Sequence, residues 1–183
     1  MREEVKRVER VFIALGSNLG DGRAILSAAW QRIGEEEGIA TVLLSHPYIS
    51  APVNMTSRNW FTNCVGELKT ILSPLELLAV VLRIEAAFGR TRSESAVGYQ
   101  DRVLDLDILY YGDLTLDIPG LVLPHPRIGD RLFVLRPLAA IAPEFRSRPH
   151  AKTVREMEMQ LLEQIERGLI PRQEIFRKEW QND

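Results

Sequence analysis

The segment Asp101-Arg102-Val103-Leu104-Asp105-Leu106-Asp107-Ile108-Leu109-Tyr110-Tyr111 admits little besides an extended strand. It is rich in Val, Leu, Ile and Tyr, and acidic residues alternate with apolar ones from Leu104 to Ile108. Side chains alternate across a strand, so Asp105 and Asp107 share one face while Leu104, Leu106 and Ile108 offer the other to a core. Two carboxylates side by side repel each other, and neither is easily desolvated alone. A hard divalent cation removes that repulsion. Mg²⁺ takes one or two carboxylates and fills its other positions with water and substrate phosphates. The simpler alternative is solvated polar alternation on an exposed strand face.

The other elements are arranged around this strand. Val11 to Leu15 reads as a buried strand, broken by the turn-rich run Gly16 to Gly22. A helix is predicted over Arg23 to Glu37, capped by Asp21, with Ile25, Leu26, Ala29, Trp30 and Ile33 at helical spacing and Gly38 as its stop. Val42 to Ile49 reads as a strand that Pro47 places at an edge or bulge. A loop follows over Ala51 to Asn59, then a longer strand over Phe61 to Leu72. Ser73, Pro74 and Glu76 open a helix by N-cap, first-turn proline and capping box, and Gly89 ends it.

After a polar loop from Arg90 to Asp101 comes the acidic strand, then a return strand near Thr115 and a strand over Leu121 to Leu123, broken by Pro124-His125-Pro126. Asp130 is expected to cap a helix running to Ile141, limited by Pro137. Thr153 and Glu156 form a second capping box for a helix to Arg167. The tail from Leu169 to Asp183 is polar apart from Ile170, Ile175, Phe176 and Trp180, and is expected to drape over the domain or mediate association. The order strand, helix, strand, strand, helix, strand is that of an α+β, ferredoxin-like antiparallel sheet with helices on one face, here with a C-terminal helical extension. Residues 1–10 form an N-terminal extension, 11–150 the domain, and 151–183 a C-terminal helix and tail.

A chain of 183 residues suits one domain. Its net charge of −2 gives no general attraction to nucleic acid or anionic membrane. The lone Cys64 excludes an intrachain disulfide framework and a multi-cysteine metal site. No apolar run reaches transmembrane length, and Met1 to Arg10 alternates charges without an apolar core of the secretory kind. A cytoplasmic protein with no membrane or nucleic-acid partner is expected.

Arg90 and Arg92 follow a helix end, where they complement its dipole or clamp an anion. Arg102 and Arg131 stand where elements begin. A guanidinium makes forked hydrogen bonds to phosphate, and four of them around an acidic strand favour a polyphosphate ligand. His125 between two prolines is presented rigidly, either to a phosphate or to a backbone group. Phe61 and Phe133 are core residues or the two faces of a sandwich for a planar heterocycle. Asn63 shares a strand face with Phe61 and offers a donor and an acceptor to a ring edge. Glu85 sits one turn before Gly89, where a solvated helix glutamate is the simpler reading. Gly16-Ser17-Asn18-Leu19-Gly20 lacks the Gly-Lys-Ser/Thr ending of a P-loop, and no nucleophilic triad is readable.

Together these residues resemble the 6-hydroxymethyl-7,8-dihydropterin pyrophosphokinase family of folate biosynthesis, from about Val11 to Phe145. The resemblance is carried by Ala14-Leu15-Gly16-Ser17-Asn18-Leu19-Gly20, Phe61 with Asn63, Ile84-Glu85, Gly89-Arg90-Thr91-Arg92, Asp101-Arg102-Val103-Leu104-Asp105-Leu106-Asp107, Leu123-Pro124-His125-Pro126-Arg127 and Arg131-Leu132-Phe133. It implies transfer of the terminal diphosphate of ATP to the pterin hydroxymethyl group, with AMP as the other product. Asp105 and Asp107 match the aspartates that hold two Mg²⁺ ions. Phe61 and Phe133 match the pterin sandwich and Asn63 the amide that reads the ring edge, with Ser50, Ala51 and Val53 lining the pocket. Arg90 and Arg92 match mobile-loop arginines that engage during catalysis. Glu85, Arg92, Arg102, Leu121, His125 and Arg131 match nucleotide or phosphate contacts. The family often has Trp near the position of Tyr99, and the two terminal extensions find no counterpart in its compact core. A monomer or weak homo-oligomer is expected. The competing readings are a Mg²⁺-dependent nucleotide hydrolase using the same acidic pair, and a non-catalytic ferredoxin-like binding module, such as one for RNA, against which the acidic strand argues.

Overall fold

The computed structural model describes residues 7–53, 57–90, 101–146 and 151–181. The chain runs β1 (Glu9–Ser17), α1 (Gly22–Gly34), β2 (Ile39–Leu44), β3 (Tyr48–Ser50), β4 (Phe61–Thr70), α2 (Pro74–Ala87), β5 (Asp105–Tyr111), β6 (Leu116–Ile118), β7 (Leu121–Leu123), α3 (Leu132–Ile141), α4 (Val154–Glu166) and β8 (Ile175–Arg177), with a single 3₁₀ turn at Ile128–Asp130 before α3. Among the described residues six strands form one sheet in the order β5-β1-β4-β3-β8, with β2 also pairing with β4, and β6 and β7 make a separate hairpin. The pairings of β1 with β4 and β5, and of β4 with β2 and β3, are all antiparallel.

Local signals set most helix starts. Asp21 accepts from the N–H of Ala24 at 3.2 Å to begin α1. The Ser73–Glu76 and Thr153–Glu156 capping boxes are both closed, each with one bond of 2.7 Å from the cap N–H to the glutamate. The helix after His125 begins otherwise than expected. Asp130 lies in the 3₁₀ turn, Arg131 occupies the N-cap position without a side-chain cap bond, and the Leu132 N–H is bound by Gln173 Oε1 at 2.8 Å. The expected strand from Val42 to Ile49 is two strands. Between them Ser45 turns to β4, its N–H donating to the Val65 carbonyl at 2.9 Å and its Oγ accepting from the Val65 N–H at 3.1 Å. The tail contributes β8 to the sheet edge.

The sheet is covered on both faces. On one side Val11, Ile13 and Leu15 of β1 pack against Leu26, Ala29 and Ile33 of α1 and Leu77, Val81 and Ile84 of α2, as the ferredoxin-like order requires. Gly66 of β4 belongs to this face, and a Cβ there would stand 2.2 Å from the Trp30 ring, so only glycine lets α1 lie this close. On the other side Phe12, Val65, Leu109 and Tyr110 pack against Leu132, Leu135 and Leu138 of α3 and Val154 and Leu161 of α4. The β1–β5 register shifts between Phe12, opposite Tyr110, and Ile13, opposite Ile108, leaving Leu109 as an extra residue. This bulge lets Leu106 and Ile108 fill the α1/α2 side while Leu109 and Tyr110 fill the other. Asp105 and Asp107 therefore lie on the α3 side, beyond the part of the sheet that α3 covers. None of the described helices is long and apolar enough to cross a membrane.

Candidate active site

The floor of the site is a pair of rows across three strands. Gly16 of β1 lies opposite Asp105 of β5 and opposite Asn63 of β4. In the next row on the same face Ala14 lies opposite Asp107 and Val65. A Cβ at Gly16 would approach Asn63 Oδ1 to 3.2 Å and the Asp105 Cβ to 3.9 Å. Bare backbone thus separates the amide from the acidic pair and leaves the space above it open. Over this floor is a cleft with about 750 Å³ of empty space, its solvent-open part included. Ser50, Ala51, Val53, Phe61 and Asn63 line one part of it, Arg102, Asp105 and Asp107 another, and Arg127, Arg131 and Phe133 come from α3 and the turns before it. The six expected pterin-pocket residues are therefore brought to one cavity. Asn63 Nδ2 donates to Ser50 Oγ at 3.0 Å, which orients the amide, and the Arg131 guanidinium lies 5.5 Å from the Phe133 ring centroid.

The two aspartates are held differently. Asp105 accepts from Arg90 Nη1 at 2.6 Å and from Arg102 Nη1 at 2.8 Å. Arg90 is itself tied to Glu85, which is almost fully buried and also accepts from the Leu106 N–H at 2.7 Å. Glu85 is thus a buried anchor for Arg90 and β5, not a solvated helix glutamate. Asp107 has weaker partners, Arg131 Nη1 at 3.9 Å and His125 Nε2 at 4.0 Å. Burial on the cleft floor, followed by the neighbouring Asp105 charge, pushes the Asp107 carboxyl up to about 6, against the pull of Arg131. His125 Nδ1 accepts from the Arg127 N–H at 3.2 Å, which leaves the ring proton on Nε2, facing Asp107. Burial and the Arg131 charge bring the imidazole down to about 4, so it is neutral at physiological pH.

Leu121 packs into the core and does not line the cleft. Arg92 and Tyr99 lie outside the described residues. Sequence reasoning gave no role to Arg127, which lines the cleft, or to the contacts of Asn18 and Asp101. Asn18 Nδ2 donates to Asp101 Oδ1 at 2.6 Å and its Oδ1 accepts from the Arg102 N–H at 2.7 Å. Asn59 Nδ2 donates to the other Asp101 oxygen at 2.7 Å. With Ser57 first among these bonds, they hold the Asp101 carboxyl below its ordinary value. Three loops are joined at this carboxylate, beside the N-terminal end of the acidic strand. Asn18 and Asp101 fall within the quoted motifs, but their spacing gives no hint that they meet.

Among the described residues no group of three or more His, Cys, Asp or Glu is arranged to hold a metal ion. Two same-face carboxylates beside guanidiniums are instead a donor set suited to Mg²⁺, which completes its shell with waters and substrate phosphates. Asp107, whose proton affinity is raised by burial and which meets Arg131 only at 3.9 Å, has oxygens able to take such an ion.

The model of the 7,8-dihydro-6-hydroxymethylpterin-pyrophosphokinase family matches residues 12–143. The chain is 41% identical over 135 residues to the 2-amino-4-hydroxy-6-hydroxymethyldihydropteridine pyrophosphokinase of Methylorubrum extorquens, covering 74% of this chain and 84% of that protein. It is 40% identical over 139 residues to the enzyme of the same name from Pseudomonas aeruginosa, covering 76% and 84%. Among solved structures, Plasmodium falciparum HPPK-DHPS with pteroate superimposes with a TM-score of 0.74 at 13% identity, over 91% of this chain and 46% of that one, a likeness of fold. With its match running through every strand of the cleft floor, the chain belongs to the 7,8-dihydro-6-hydroxymethylpterin-pyrophosphokinase family.

Proposed function

We propose that this cleft is where the chain, an ATP-dependent pyrophosphokinase of folate biosynthesis, moves diphosphate onto 6-hydroxymethyl-7,8-dihydropterin, and that the named side chains divide the work as follows. Phe61 and Phe133 take the two faces of the ring, Asn63 reads its edge, and Ser50, Ala51 and Val53 close the pocket. Asp105 and Asp107 would hold two Mg²⁺ ions. When bound, these supply positive charge to the phosphates and orient the attacking hydroxyl. Arg90, Arg102 and Arg131 bind and position the diphosphate, and Arg92 joins them from the preceding loop. The neutral His125 donates its Nε2 proton to a phosphate oxygen. Glu85 acts on the nucleotide side by holding Arg90. In the transfer the pterin hydroxyl oxygen attacks the β-phosphorus and gives up its proton to solvent, the bond from the β-phosphorus to the α–β bridging oxygen breaks, and AMP departs carrying that oxygen. Positioning and charge neutralisation carry such a step. The catalytic domain spans residues 11–150, and the protein works in the cytoplasm as a monomer or weak homo-oligomer, without nucleic-acid or membrane partners.

The observation that carries this reading is that the row Asn63–Gly16–Asp105 joins a ring-sized pocket to an acidic pair flanked by guanidiniums within one cleft. Incubation with Mg²⁺, ATP and hydroxymethyldihydropterin, followed by nucleotide separation, tests it. AMP released only when the pterin is present is the expected result. ATP breakdown at the same rate without the pterin rejects it in favour of a nucleotide hydrolase.

A further inference from the structure

We infer that Gln173, carried by the C-terminal tail, is a positioning residue for the pterin pocket and that β8 braces the pocket's two walls against each other. The inference rests on the reading that Phe133 and Ser50 contact the ring. Arg131 and Phe133 straddle the start of α3, the helix that lacks a side-chain cap of its own. The amide of Gln173 bridges this junction. Its Oε1 accepts from the Leu132 N–H at 2.8 Å and its Nε2 donates to the Asp130 carbonyl at 2.9 Å. The backbone on both sides of Arg131 is therefore clamped by one planar group, reached across 41 residues of sequence.

The same tail holds the opposite wall. Ile175 of β8 pairs with Ser50 of β3, the Ala51 N–H donates to the Glu174 carbonyl at 3.1 Å, and the Lys178 N–H donates to the Pro47 carbonyl at 2.8 Å. Phe176 stacks on Trp60, the residue before Phe61, with ring centroids 5.9 Å apart and planes 26° from parallel. Trp180 Nε1 donates to the Ser45 carbonyl at 3.1 Å, locking the far end. One short stretch thus fixes the strand bearing Ser50 and the turn bearing Phe133. An orphan N–H at the first turn of α3 would let that turn fray and swing the Phe133 ring, and small misplacements of a positioning group cost disproportionate activity.

The test measures the pterin and ATP dissociation constants of Gln173→Ala, Gln173→Glu, Phe133→Ala and the Gln173→Ala/Phe133→Ala double variant in the full-length protein. Gln173→Ala is expected to weaken pterin binding about fivefold, the effect of losing a helix cap, while ATP affinity stays within about twofold. Gln173→Glu keeps the acceptor for Leu132 but turns an oxygen toward the Asp130 carbonyl, so it should recover only part of the pterin affinity, which also guards against misfolding of the alanine variant. In the Phe133→Ala background the Gln173 change should no longer matter. The proposal is overturned if Gln173→Ala leaves pterin affinity unchanged, weakens both ligands equally, or costs as much without the Phe133 ring as with it. If Phe133→Ala alone leaves pterin binding intact, the pocket reading itself fails and the brace falls with it.

Discussion

The two aspartates of β5 should respond in opposite ways to the same isosteric change. Asp105 is held by two charge-assisted bonds, at 2.6 Å from Arg90 and 2.8 Å from Arg102. In Asp105→Asn one amide oxygen remains to accept from one guanidinium. The loss of the other bond costs about 1.5–3 kcal/mol, a fall in unfolding midpoint of about 3–12 °C for a chain of this size. Asp107 meets Arg131 only at 3.9 Å and His125 at 4.0 Å, and its carboxyl holds a proton more tightly than an ordinary aspartate does. Asp107→Asn removes a charge the folded state disfavours. More than a third of the side chain, 37%, is exposed, so solvent screening keeps the gain below about 1 kcal/mol, a rise of no more than about 4 °C. Both variants should lose about two to three decades of turnover, the usual cost of removing a charge contact to the reacting groups. Thermal unfolding in chelator and AMP release with Mg²⁺, ATP and pterin give the two readouts. Equal destabilisation by the two substitutions, or turnover within tenfold of wild type in either, would refute the division of roles.

The pH dependence of stability follows from the same carboxylate. A folded-state value near 6, above the ordinary 3.8, means that the folded protein binds more protons between those values. In chelator, Asp107 therefore makes stability fall as pH rises from about 4 to about 6, and Asp107→Asn should abolish that component of the urea midpoint. Phe133→Ala should raise the pterin KM roughly tenfold by removing a stacked ring face, with the ATP KM within about twofold, in steady-state assays varying each substrate. Asp101→Ala should lower the unfolding midpoint by about 2–12 °C, the cost of about 1–3 kcal/mol for leaving a buried donor unpaired, because Asn18 is buried and loses its acceptor while Asn59 and Ser57 can turn to water.

The parts legible in the sequence were those set by local chemistry. The Ser73–Glu76 and Thr153–Glu156 boxes need only neighbours three positions apart, and the alternation around Asp105 and Asp107 needs only the pleat. The parts that were not legible come from distant segments. β8 is three residues long, too short for a period, and exists because the edge of β3 accepts it. Asp130 looked like a helix cap because its neighbours are apolar at helical spacing, yet the cap comes from Gln173 in the tail. Glu85 looked solvated because glutamate in a helix usually is, and only the approach of Arg90 and the Leu106 N–H makes its burial tolerable. Within the site, the motif named most of the side chains, while the joint at Asp101 depends on loops that sequence spacing does not bring together.

The row from Asn63 through Gly16 to Asp105 is also a ruler. It spans two interstrand spacings, about 10 Å, and its middle mark is peptide backbone. No rotamer change can shorten or stretch it, because the ladder bonds of the central strand would have to break first. Tolerance for larger or smaller acceptors must therefore come from the mobile ends of the molecule that enters, never from the scale on which it is measured.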